Sequence, residues 1–232
     1  MGYDFYLSGR TWELTAEFFP PIQLSPERRY EIALVNVEVA NTMPNVFPGR
    51  DRFYYRDAAA KNGDAYSHIV LPEGSYEIDS LSALIAERVP NVEIKPNPNT
   101  LSVDIVSSVD IDFRPDDCIG PLLGFSKRTF RAKDRIVSDR AVDVMAVTAI
   151  RVACDLVENS YVNGQKSRIL HEIVIDVDPG FKLFSAPSQL IYLPINRTTI
   201  DSITLQFLDT ENNPINFRGE ATSARLHLRE AD

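Results

Sequence analysis

The chain has 232 residues, 44% hydrophobic and 25% charged, with 33 Asp and Glu against 24 Lys and Arg for a formal net charge of −9. That length can bury a substantial core, as one large β domain or two small lobes. The acidic balance argues against a general binder of nucleic acid or anionic membrane, which needs a basic face. No apolar run approaches the roughly 20 residues of a membrane helix. Met1-Gly2-Tyr3-Asp4 opens with neither a basic nor an apolar leader, so synthesis inside the cell is the expectation.

In chain order, residues 3–7 and 12–19 read as strands, and Pro20-Pro21 should stop the second because proline cannot donate to a ladder. Residues 30–40 are apolar on both faces, Ile32 and Leu34 on one and Val35, Val37 and Val39 on the other, which predicts a mid-sheet strand covered on both sides. Residues 41–66 read as a long excursion carrying the aromatic island Phe53-Tyr54-Tyr55. A helix is predicted over 79–89, capped by Asp79 or Ser80, striped by Leu81, Leu84, Ile85 and Val89, and ended by Pro90. Its apolar stripe suits the end of a β-sandwich.

Residues 101–113 alternate with period two, Leu101, Val103, Ile105, Val109, Ile111 and Phe113 facing one way, with a break at Val106 and Ser107. The only cationic cluster follows, Lys127, Arg128, Arg131, Lys133 and Arg135, and reads as a solvated linker, a phosphate site being the alternative. Asn163-Gly164 favours a two-residue type I′ turn, since both positions need φ > 0. Residues whose numbers sum to 327 would then face each other: Leu156 with His171, Cys154 with Ile173, Val152 with Ile175, Ile150 with Val177. Ile203, Leu205 and Phe207 alternate with polar residues, as do Thr222, Ala224, Leu226 and Leu228 in the last strand. Many short strands with one helix predict an all-β chain, a jelly-roll β-sandwich in two β lobes. The boundaries expected are an N-terminal lobe over 1–127, a basic linker over 128–142 and a C-terminal lobe over 143–232.

Catalytic apparatus is sparse. His68, His171, His227, Cys118 and Cys154 lie at no metal-ligand spacing, and the two cysteines read as reduced thiols. Asp110/Asp112 and Asp176/Asp178 share strand faces and read as solvated carboxylates, with calcium as the alternative. Phosphate-binding glycine loops and Gly-x-Ser-x-Gly are missing. No metal or cofactor is therefore expected. A dispersed pair of acids, as in a β-sandwich hydrolase, is not something sequence spacing can locate.

An ordered set of short motifs runs from end to end. It comprises Phe5-Tyr6-Leu7-Ser8-Gly9, Phe18-Phe19-Pro20-Pro21-Ile22-Gln23-Leu24, Tyr30-Glu31-Ile32-Ala33-Leu34, Met43-Pro44-Asn45-Val46, Leu71-Pro72-Glu73-Gly74-Ser75-Tyr76-Glu77, residues 119–125, Ile191-Tyr192-Leu193-Pro194, Phe217-Arg218-Gly219-Glu220 and Arg225-Leu226-His227-Leu228. In this set the chain resembles the capsid-type proteins of Polinton/Maverick elements and their adintovirus relatives. The resemblance implies a jelly-roll virion protein of the minor capsid or penton type, without enzymatic activity or cofactor. Such a protein assembles with itself, as a pentamer or trimer, and with a larger major capsid protein, and resides in the virion. The alternatives are a small double jelly-roll major capsid protein and a receptor- or glycan-binding spike or head domain. For contacts between subunits the candidates are Phe53, Tyr54 and Tyr55, which could equally fold back on their own sandwich. Arg218 and Glu220 are the other candidates, as an ion pair fixing the last turn or as an intersubunit contact.

Overall fold

The strand Tyr30–Ala40 has partners on both edges, Thr222–Glu230 on one and the short strands Lys182–Ser185 and Leu193–Pro194 on the other. A computed structural model describes residues 2–59, 65–89, 91–145 and 147–231. The mid-sheet placement agrees with the sequence reading, but the two-faced apolar pattern has another cause. Arg225 pairs with Asn36 and Leu226 with Leu34, so Val35 is an extra residue in a β-bulge. The bulge inverts the alternation, and Ile32, Leu34, Val37 and Val39 all enter the same core.

Contacts divide the chain into two units, Met1–Met43 with Val147–Asp232, and Pro44–Ala146. The second unit is therefore inserted within the first, which corrects the division into 1–127, 128–142 and 143–232. Pairing across great sequence distance is the reason: Phe5 lies opposite Leu226, and Leu14 opposite Leu205.

Among the described residues the first unit has two main antiparallel sheets, one of five strands counting Leu193–Pro194 and one of four. In chain order its long strands are Gly2–Gly9, Glu13–Gln23, Tyr30–Ala40, Ala149–Cys154, Ile169–Val174, Lys182–Ser185, Thr199–Leu208 and Thr222–Glu230. One sheet runs first, eighth, third, sixth, and the other fifth, fourth, seventh, second. That order is the connectivity of an eight-stranded jelly roll. Both sheets contribute to one core, including Phe5, Leu34 and Leu226 from the first and Leu14, Val152, Ile203 and Phe207 from the second. Each such side chain contributes roughly 1.5–3 kcal/mol by leaving water.

Pro20-Pro21 does not end the second strand, which continues to Gln23. The strand is at a sheet edge, and its ladder with Thr199–Leu208 breaks between Ile200, opposite Ile22, and Ser202, opposite Glu17. Residues 18–21 bulge out there against Asp201 alone. A proline pair fits where no ladder bond is demanded. The Phe19-Pro20 peptide is cis.

The hairpin register is half as expected. Around Asn163-Gly164, both at positive φ, Val162 pairs with Gln165, Tyr161 with Lys166 and Ser160 with Ser167, the sum of 327. Farther out Ile150 faces Ile173 and Val152 faces His171, and Cys154 is not opposite Ile173. Residues 155–159 swing out of the ladder: the Asp155 carboxylate accepts the Thr204 backbone N–H at 2.9 Å, Val157 bridges to Ile195, and Leu156 is fully buried. The net slip is four residues. An even slip keeps every side chain on its expected face, so the apolar pattern is equally satisfied by both registers.

The inserted unit has its own core, built on the sheet Ser67–Val70, Arg52–Asp57, Val109–Asp112, Thr129–Phe130 and the sheet Ile136–Val137, Ser102–Ser107, Val92–Asn97. Residues 101–113 are thus two strands in different sheets, divided at Ser108, and Leu101 is exposed at φ 55°. The helix is Ile78–Arg88, with Leu81, Ile85 and the following Val89 fully buried. Glu77 sits at its N-cap without a side-chain bond, so Asp79 and Ser80 lie inside the first turn instead of capping it. Pro90 lies outside the described residues. Phe113 stacks on Phe125 at 4.9 Å, with Phe53 and Phe130 edge-on to it. Buried Asn45 donates to the carbonyls of Tyr76 and Val144 and accepts from the Tyr76 N–H, tying the start of the unit to its end. Among the described residues its sheets have three and four strands, so a second eight-stranded jelly roll is not formed.

Candidate functional site

The thiols and the paired aspartates singled out in the sequence are committed to structure. Both cysteines are free and buried. Burial pushes the Cys154 thiol up to about 12 and raises Cys118 as well, which keeps both protonated and poorly nucleophilic at neutral pH. Asp110 receives Arg56 at 2.7 Å, and Asp112 receives Arg114 through Nε and Nη2 at 2.9 and 2.7 Å. Burial alone would raise both carboxyls, but the arginine and backbone hydrogen bonds outweigh it and hold them below the usual aspartate value. His171 is lowered by burial, and His227 Nδ1 meets Tyr192 Oη at 2.8 Å. Among the described residues no three His, Cys, Asp or Glu side chains gather as a metal cluster.

The sequence-predicted contact residues are placed differently from one another. Phe53 is fully buried in the core of the inserted unit, because residues 52–57 form a strand and not an excursion. Tyr54 is half-buried, its Oη donating to Asp117 at 2.9 Å and its ring tilted on His68, and Tyr55 packs partly buried against the same core. The aromatic island thus folds back on its own sheet. Arg218 and Glu220 are both exposed, and among the described residues no ion pair joins them. Their turn is held instead by the Arg218 N–H on Asn216 Oδ1 and the Glu220 N–H on the Phe217 carbonyl.

The basic stretch is not a linker. Thr129–Phe130 and Ile136–Val137 belong to sheets, Ile136 is fully buried, and Lys127, Arg128 and Arg135 are paired with Asp116, Asp139 and Asp104. Carboxylates so close leave little field for a phosphate.

What the jelly roll presents outward is a surface for contact. The outer face of the sheet containing Gly2–Gly9 is self-neutralised, Asp4 with Arg225, Glu31 with Arg229 and Glu38 with Lys182. Arg225 also lies over Tyr6 at 5.1 Å and Arg229 over Tyr192 at 3.7 Å. Such pairs add little stability in water. Exposed among them are Tyr6 and Phe184, and on the opposite sheet Phe19 is 100% exposed on its edge bulge. Beside the start of that same edge strand is a depression of about 290 Å³ lined by Arg10, Thr11, Trp12, Pro214, Ile215, Asn216 and Phe217. Sequence reasoning passed over these aromatics, although period-two alternation with buried Phe5, Leu7 and Leu14 places Tyr6 and Phe19 outward. The depression had no sequence signal, because its walls come from residues 10–12 and 214–217.

The fold defines a jelly-roll β protein, an architecture shared by viral capsid, lectin and cupin domains. No family model matches the chain, and no curated protein matches it. Among solved structures it is similar to the selenomethionine-labelled mavirus penton protein, with a TM-score of 0.50, 11% sequence identity, and 99% of each chain covered.

Proposed function

We propose that this chain is a structural subunit of an icosahedral virion shell, of the minor capsid or penton type, acting by assembly and without enzymatic activity. The observation that carries the reading is the eight-stranded jelly-roll connectivity joined to end-to-end likeness to a penton protein, insertion included. The side-chain chemistry supports it: thiols kept protonated by burial and carboxylates matched by arginine favour a stiff scaffold over a reaction centre.

The partners under this reading are further copies of the chain, in a pentamer or trimer, and a larger major shell protein. Aromatic side chains held on rigid strands suit such contacts, since they bury much area at small cost in conformational entropy. Among the described residues no helix is long and apolar enough to cross a membrane. Sedimentation of the purified chain tests the first partnership: a single closed oligomer of five or three chains supports it, and a monomer at every concentration counts against a vertex subunit.

A further inference from the structure

The edge strand Glu13–Gln23 carries an aromatic knob near one end and an apolar hole at the other. Phe19 is wholly exposed, and residues 18–21 that present it are anchored by Phe18, which packs against the core with its ring 5.4 Å from Phe5. The hole has a floor of Ile215 and Phe217, both buried, walled by Trp12 and Pro214. At about 3.3 Å per residue, Trp12 and Phe19 are separated by roughly 20 Å along the strand. A knob cannot fill the hole of its own chain.

Charge follows the same division. Glu17, two residues before Phe19, makes no ion pair among the described residues, and Asp201, opposite the bulge, reaches Arg197 only at 3.9 Å. At the hole, the Arg10 side chain donates to the Gly219 carbonyl at 2.9 Å, and Arg218 follows Phe217 directly; neither has an ion pair among the described residues. Of the other surface arginines of this unit, 28, 151, 197, 225 and 229 each meet a carboxylate, whereas Arg29 and Arg168 have no ion pair among the described residues. The knob is thus flanked by acidic and the hole by basic side chains.

We infer that Phe19 of one copy seats in the Trp12, Pro214, Ile215 and Phe217 depression of the next, with Glu17 meeting Arg10. The partner is a second copy of this chain, selected by size, apolar character and opposite charge. Different patches meet, so the contact is heterologous, and repetition generates a ring where the rotation closes. This deepens the assembly reading and rests on it.

Sedimentation of full-length Phe19→Ser and Thr11→Trp, the second filling the hole from an exposed position, tests the contact. Each variant is expected to weaken self-association by at least about 30-fold, the scale of a lost interface anchor. A one-to-one mixture restores one good contact and gives dimers, since one variant keeps its hole and the other its knob. Glu17→Arg and Arg10→Glu should each weaken association, and together recover it. Unchanged thermal melting shows that the variants fold. An oligomer of wild-type mass and affinity in Phe19→Ser overturns the inference and leaves the assembly reading standing. A wild-type chain that remains monomeric overturns the self-contact, and incorporation into shells then judges the broader reading separately.

Discussion

Arg114 grips Asp112 at both carboxylate oxygens, through Nε at 2.9 Å and Nη2 at 2.7 Å, while its own backbone N–H adds a third bond at 3.0 Å. The Asp112 side chain is almost wholly buried, whereas that of Arg114 remains 60% exposed. Asp112→Asn keeps the volume and removes the charge, and is expected to cost about 1–3 kcal/mol, the scale for charged hydrogen bonds. Because the folded-state carboxyl titrates below its unfolded value, this stability is fully present above the unfolded value near about 4. It is lost as pH falls through the lower folded value. Denaturant melts from pH 7 to 3 check it: wild type loses stability below about pH 4 more steeply than Asp112→Asn.

Gly124 and Gly164 both have positive φ, 79° and 81°, but in different surroundings. A Cβ on Gly124 would fall on the carbonyl oxygen of Arg140, while one on Gly164 meets nothing within 4 Å. Gly164→Ala is expected to cost about 1–2 kcal/mol from backbone strain alone. Gly124→Ala should cost several times more, or prevent the inserted unit from folding. Thermal unfolding of both variants reads the contrast, and equal losses would refute the account of Gly124.

Cys118 and Cys154 should be inert to a thiol-reactive chromophore at pH 8 in the native protein, and both should react once it is unfolded. Burial raises each thiol, Cys154 to about 12, so the native thiolate fraction is small as well as inaccessible. Rapid labelling of one equivalent under native conditions would contradict this.

Deleting the half-buried Val35 should leave the fold intact, because it removes the extra residue of the bulge and makes the strand regular. Without the extra residue, Ile32, Leu34, Val37 and Val39 fall at every second position of a regular strand and keep one face toward the core. Val35→Ala retains the bulge and should melt within about 1 kcal/mol of wild type. Circular dichroism checks both variants, and a deletion variant without a β spectrum would contradict the bulge account.

These cases show how far the sequence was legible. Period-two patterning found the strands around Ile105, Val152 and Leu226, since alternation reports which face is buried. It was blind to anything that preserves parity, such as the four-residue slip between Val152 and His171. It misread a bulge at Val35 as a two-faced strand. The insertion was hidden because the ladders joining Phe5 to Leu226 and Val37 to Ser185 are long-range, with no local mark in the chain. At the site, Phe53, Tyr54 and Tyr55 looked like contact residues because an aromatic cluster in a Pro-rich segment reads alike whether it packs inward or outward. Phe19 was overlooked because the proline pair beside it suggested the end of a strand instead of a bulge on an edge.

Cryo-electron microscopy of particles formed on co-expression with the larger shell protein tests the central claim most directly. The account expects this jelly roll at fixed positions in closed icosahedral shells, most directly as a ring at the vertices, and expects those positions to empty when the chain is omitted. Shells that form with identical density whether or not the chain is present, the chain remaining in the soluble fraction, would contradict it.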